Sequence, residues 1–305
     1  MLKSIALVLS SGGARGMAHI GVIEELERHN FKISAIAGSS FGAVVGGIYA
    51  TGHLKEFKNW LLELDKMDVF RLMDFTLSTH GFIKGNKVFN EIKDFITDIK
   101  IEDLPFPFIA VAVDPHTQQE VTFKSGSLYD AIRASVAVPG VIEPYIIDGR
   151  ELIDGGVLNP IPMDLISRKE NDLMAAVNIN ATIPYQKKKK ISFEQKKKEQ
   201  SSILKRLEFN ERWEKLYPKD KQSQDKYNYL ALLNSSYDMM QNKIINLMLA
   251  KHSPDILVNI SRYVCSTFDF FKAEEIIQLG KDAFNIALAK YDEKVIEQYK
   301  KSVKL

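Results

Sequence analysis

Two short apolar runs near the start of the chain each break off into small residues and then give way to a helix. Ile5–Leu9 ends in Ser10-Ser11-Gly12-Gly13, and Ser34–Ala37 ends in Gly38-Ser39-Ser40-Phe41-Gly42. After the first, Met17, Ile20, Val22, Ile23 and Leu26 fit one helix over Ala14–His29, and after the second, Ala43–Ala50 reads as helical. Runs this short and this continuously apolar suit strands buried on both faces, as in a parallel sheet covered by helices. The repeated order of strand, glycine turn and helix therefore predicts an α/β fold: three layers, α/β/α, around a central, mostly parallel sheet.

The same alternation continues. Residues 53–103 read as mostly helical, with Leu54, Phe57, Trp60, Leu61 and Leu64 at helical spacing. Phe108–Val113 and Gln119–Phe123 read as strands and Tyr129–Ser135 as a helix. Tyr145–Ile147 and Glu151–Ile153 flank Asp148-Gly149-Arg150, a hairpin turn. Leu173–Ile179 is a further buried strand. This gives a core over 1–185. Residues 186–226 then carry fourteen Lys or Arg against seven Asp or Glu, although the whole chain is only +2. The remainder, 227–305, reads as a mostly helical part packing on the core: helices over Tyr227–Ala250 and Lys272–Leu288, with a strand at Ile256–Ile260 between them.

At 305 residues the chain can bury a sizeable core. One cysteine, Cys265, excludes an internal disulfide framework and fits a reducing compartment. The first apolar run is shorter than the roughly 7–15 residues of a signal peptide's apolar region. No stretch approaches the ~18 apolar residues of a membrane span. The expected location is the cytoplasm. The basic segment reads either as a solvated loop or as a lid that meets a membrane surface, its lysines at anionic headgroups. No recognised nucleic-acid module accompanies its charge, so no nucleic-acid partner is expected.

Three stretches can carry chemistry. Gly38-Ser39-Ser40-Phe41-Gly42 has the form of a nucleophile elbow, a sharp strand-to-helix turn whose small neighbours leave the serine oxygen free. An ordinary tight turn would look the same. Ser11-Gly12-Gly13-Ala14-Arg15-Gly16 can present bare amides to an anion, as a phosphate cradle or an oxyanion hole. The dinucleotide fingerprint is a poor match: Ser11 stands at its first glycine, and the second strand ends in Gly38-Ser39-Ser40 without a carboxylate. Asp154, in LIDGGVLNPIP, is either a general base at the end of a strand or the cap of its own Asp-Gly turn. A histidine base following Asp154 in the chain would have to be His252, which sits at an expected helix end. No metal-binding pattern is present.

Taken in order, LVLSSGGARGMAHIGVIEEL, IAGSSFGAVVGGIYATG, AIRASVAVPGVIEPY and LIDGGVLNPIP resemble the patatin-like phospholipases. The resemblance is to their bacterial branch, similar to the catalytic domain of neuropathy target esterase, and it covers roughly residues 4–180. It implies a patatin-like fold and a Ser–Asp dyad without histidine: Ser40 as nucleophile and Asp154 as base. The amides of Gly12, Gly13 and Ala14 would form the oxyanion hole, with Arg15 shaping that loop or meeting an anionic substrate group. Gly16, Gly38, Gly42, Gly155 and Gly156 are the remaining motif glycines. Ser39 and Ser11 stand where the family often has threonine and glycine.

The implied activity is hydrolysis of a carboxylic ester, of phospholipase A or lysophospholipase type, on a phospholipid, lysophospholipid or other acyl ester. It releases a fatty acid through an acyl-serine and needs no metal or organic cofactor. The alternative is a lipid-binding or regulatory protein with little turnover. A free Asp carboxyl, with a pKa of about 3.9, is a poor base for serine, so the dyad calls for a dry setting. Val138, Val141, Ile153 and Val157 are apolar neighbours able to supply one.

Overall fold

A computed structural model describes residues 3–74, 83–96, 99–166, 168–185 and 229–303. The chain divides into two compact units, Met1–Tyr185 with Tyr237–Leu305, and Gln186–Ser236. Of the second, only 229–236 is described, as the opening of a helix. The basic segment 186–226, read above as a loop or lid, lies outside the described residues.

Among the described residues eight strands form the sheet: β1 (Lys3–Leu9), β2 (Phe31–Ser39), β3 (Phe108–Asp114), β4 (Gln119–Phe123), β5 (Tyr145–Ile147), β6 (Arg150–Asp154), β7 (Leu173–Ala181) and β8 (Ile256–Ser261). Their order is β5-β6-β3-β2-β1-β7-β8, with β4 also on β3. The five strands β3, β2, β1, β7 and β8 run parallel to one another, whereas β4 and β6 pair with β3 antiparallel. β1 is central, which accounts for its unbroken burial from Ile5 to Leu9. Asp148 and Gly149 both take positive φ in the β5–β6 hairpin, as a two-residue turn of matching twist requires.

The helices are α1 (Ala18–Arg28), α2 (Phe41–Ala50), α3 (Leu54–Glu63), α4 (Lys66–Leu72), α5 (Asn86–Ile96), α6 (Leu128–Ser135), α7 (Tyr229–Lys251) and α8 (Ala273–Val303). The helix expected from Ala14 instead opens as a 3₁₀ turn, Gly13–Met17, and becomes α-helical at Ala18. Alternate residues of β1 serve opposite faces, as the pleat requires. Ile5, Leu7 and Leu9 join a core with α1, α2 and α8, whereas Val8 packs with Ile161, Met163 and Ile245 of α7. α2 is apolar nearly all round and correspondingly buried. Among the described residues no helix is long and apolar enough to cross a membrane.

Strand register places the site. β4 occupies one edge of β3 along Ala110–Asp114. β2 and β6 share the other edge: β2 pairs with Phe108–Val111 and β6 with Ala112 and Val113. β2 runs parallel to β3 and β6 antiparallel, so their C-terminal ends converge, Ser39 beside Val111 and Asp154 beside Ala112. The residue after Ser39 is Ser40. Two chain segments more than a hundred residues apart are thereby brought end to end.

Candidate active site

Ser40 occupies the turn between β2 and α2 with φ 54° and ψ −127°, a left-handed conformation that costs a residue with a side chain on the order of 1–3 kcal/mol. Its neighbours hold it there. The Ser40 N–H donates to Ser135 Oγ at 2.9 Å, and its carbonyl accepts from Ala43 and Val44 in the first turn of α2. Gly42 lets α2 lie against the sheet, since a Cβ there would come within 2.3 Å of the Leu9 carbonyl. A Cβ on Gly38 would likewise come within 2.6 Å of the Ala43 backbone nitrogen.

Ser40 Oγ donates to Asp154 Oδ2 at 2.5 Å. Asp154 is 1% exposed, and its other oxygen accepts the Gly156 N–H at 2.6 Å. Gly155 tucks the turn against β3, where a Cβ would meet the Val111 carbonyl. Burial pushes the Asp154 carboxyl up to about 7, against the opposing pull of its bonds from Ser40 and Gly156. The turn-cap and general-base readings of Asp154 are thus compatible: one oxygen caps, the other holds serine. Among the described residues no histidine hydrogen-bonds either partner. His252 ends α7, its N–H donating to the Met248 carbonyl.

The glycine loop leaves β1 beside this pair. Gly12 and Gly13 both have positive φ, 154° and 57°, and side chains there would also strike Ile179 and Thr267. Gly13 and Ser40 face one cavity of about 140 Å³, lined almost wholly by apolar side chains. The N-terminus of α2, with Ser40 and Phe41 in the cavity wall, directs partial positive charge toward it.

Ser40, Asp154 and the glycine loop lie within a segment, 7–166, that matches the family model described as patatin-like phospholipase. The chain belongs to that family. An NTE-family protein of Mycobacterium tuberculosis is 47% identical over 178 residues, 58% of this chain and 49% of the relative. Lysophospholipase NTE1 of Kluyveromyces lactis is 28% identical over 59% of this chain and 13% of its own length. Patatin-like phospholipase domain-containing protein 6 of Mus musculus is 29% identical over 59% and 14%. The chain thus spans about half the length, or less, of the curated relatives it matches. A solved structure, VipD from Legionella pneumophila, aligns with 95% of this chain and 67% of its own at 14% identity and a TM-score of 0.45.

Two residues of the patatin-like loop differ from expectation. The Ala14 N–H donates to the Thr267 carbonyl at 2.8 Å and is no free donor. Among the described residues Gly12, Gly13 and Phe41 have no such partner for their amides. Arg15 does not face the cavity: it is 7% exposed and donates to Asn180 Oδ1 at 3.0 Å and to the Arg262 carbonyl at 3.3 Å. Of the two roles expected for it, shaping the loop fits. Asn180 completes the brace by donating to the Ser11 carbonyl at 2.6 Å. Gly16 packs against the Phe41 ring. Val138 and Val141 line the cavity as expected, whereas Ile153 and Val157 do not. Most of the lining comes from elsewhere, including Phe57, Trp60, Phe89 and Phe270.

Three residues that hold the site went unassigned in the sequence. Ser135 lies in AIRASVAVPG, a stretch with no role given to that serine. Asn180 is a polar residue in the apolar run of β7, a signal that buried polar groups generally offer. Gln241, on α7, has no sequence signal at all.

Proposed function

We propose that this chain is a serine hydrolase of lipid acyl esters, with Ser40 as nucleophile and Asp154 as general base. The observation that carries the reading is the 2.5 Å bond from Ser40 Oγ to a buried Asp154 carboxylate. In the first step Ser40 Oγ attacks the ester carbonyl carbon while its proton passes to Asp154 Oδ2. The tetrahedral oxyanion is met by the Gly12, Gly13 and Phe41 amides. Collapse expels the alcohol, which takes the proton from Asp154, and leaves an acyl-Ser40. Water then attacks the acyl carbon, giving its proton to Asp154, and the fatty acid leaves as Ser40 recovers its proton.

A carboxylate with an ordinary pKa would hold the serine proton weakly. The raised carboxyl narrows that gap, and a dry cavity strengthens the amides, each worth on the order of 10²–10³ in rate. The apolar lining suits an acyl chain, with the head group left toward solvent. Together with the lysophospholipase name of the Kluyveromyces lactis relative, this favours phospholipids and lysophospholipids as substrates.

The test is a hydrolysis screen over phospholipids, lysophospholipids, acylglycerols and aryl esters, with Ser40→Ala as the blank. Fatty acid release from an acyl lipid, lost in the variant by at least ~10³-fold, is expected. Stoichiometric lipid binding without turnover would favour the regulatory alternative instead.

A further inference from the structure

Gln241 is 6% exposed, unusual for an uncharged amide that directly follows two exposed methionines, Met239 and Met240, on its helix. Its Nε2 donates to the Gly156 carbonyl at 3.0 Å and lies 3.2 Å from Ser11 Oγ and 3.0 Å from Tyr237 Oη. Two N–H groups therefore serve three oxygens from three segments. Ser11 precedes the amides of Gly12 and Gly13, and Gly156 follows the turn that carries Asp154. One side chain from α7 thus touches both halves of the site.

The two turns have other ties. The Ser11 N–H donates to the Pro160 carbonyl at 2.9 Å, and its carbonyl accepts from Asn180. The Gly156 N–H is committed to Asp154 Oδ1. The free positions left on this pair were the Ser11 hydroxyl and the Gly156 carbonyl, and Gln241 engages both. A glycine at position 11 would leave it only one of these. A side chain at 156 would collide with the amide, whose Nε2 lies 2.6 Å from the place of a Cβ.

We infer that Gln241 is a positioning residue, which with Ser11 sets the distance between the oxyanion amides and the Asp154 carboxylate. The inference rests on the dyad reading above for its catalytic consequence, but not for its structural one. A displacement of about 1 Å can cost on the order of 10²-fold in rate. Gln241→Leu, similar in size and unable to donate, therefore lowers kcat by ~10–100-fold and leaves KM within about twofold. Ser11→Gly, the milder variant, lowers kcat in the same direction. Their double variant is no slower than the worse single, because the contact that Ser11→Gly removes is already absent in Gln241→Leu. Gln241→Glu, which cannot donate and adds a like charge, moves the rising limb of the pH–rate profile upward.

Hydrogen–deuterium exchange of the folded proteins supplies a readout that needs no turnover. Exchange across residues 10–16 and 154–158 rises in Gln241→Leu, and to a smaller extent in Ser11→Gly. Unchanged exchange in both turns overturns the inference even if the wild type proves inactive. So does an unchanged kcat in a folded Gln241→Leu, or losses that multiply in the double variant. Turnover that survives Ser40→Ala overturns the dyad reading instead, leaving the exchange result to judge Gln241.

Discussion

At the residue scale, Asp154 is the group whose chemistry depends most on its surroundings. With a folded-state carboxyl at about 7 and an ordinary value of 3.8 when unfolded, the native state binds its proton more tightly. The stabilisation from that proton is complete below about pH 3.8 and is lost as pH rises through 7. Activity has the opposite slope, since the base must be ionised. The expected kcat/KM profile therefore rises with a midpoint near 7. Asp154→Asn cannot ionise. It should lose at least ~10²-fold in turnover, yet gain in urea denaturation relative to wild type between pH 4 and pH 8, by up to about 4 kcal/mol. An equal difference at the two pH values would mean that the carboxyl is not held in a dry site.

At the scale of elements, glycines decide how closely helices approach. α1 and α8 meet at Gly21 and Gly280: a Cβ on Gly21 would lie 2.0 Å from the Ile277 carbonyl, and one on Gly280 2.1 Å from that of Ala18. In an isolated helix Gly→Ala is favourable by about 1 kcal/mol. Here the backbone atoms in the way cannot swing aside as a side chain could. Gly280→Ala is therefore expected to destabilise, by about 1–3 kcal/mol in chemical denaturation. A stabilised variant would show that the helices part without cost. The sequence revealed the elements more readily than such contacts. Ile5–Leu9, Phe108–Val113 and Leu173–Ile179 were legible because burial on both faces leaves an unbroken apolar run. The 3₁₀ start at Gly13–Met17 was not legible, because Met17, Ile20 and Ile23 keep helical spacing whichever way the first turn is wound.

At the scale of the molecule, the site is a product of topology. Ser40 and Asp154 were legible as candidates from their glycine-flanked turns, and family resemblance joined them. Their approach depends on β2 and β6 sharing one edge of β3, a pairing that no local pattern encodes. The engagement of Ala14 by Thr267 and the inward turn of Arg15 depend likewise on segments more than two hundred residues away. The cavity was only partly legible, since Phe57 and Trp60 read as ordinary helix core until α3 is placed beside α2.

The account stands on a hydroxyl made reactive by a distant carboxylate. Its most direct test is reaction of the native protein with a fluorophosphonate, followed by mass spectrometry of the digested adduct. One phosphonyl group is expected, on Ser40, formed at least ~10²-fold more slowly in Asp154→Asn. An adduct on another residue, or labelling of Ser40 that proceeds equally fast without the carboxylate, would contradict it.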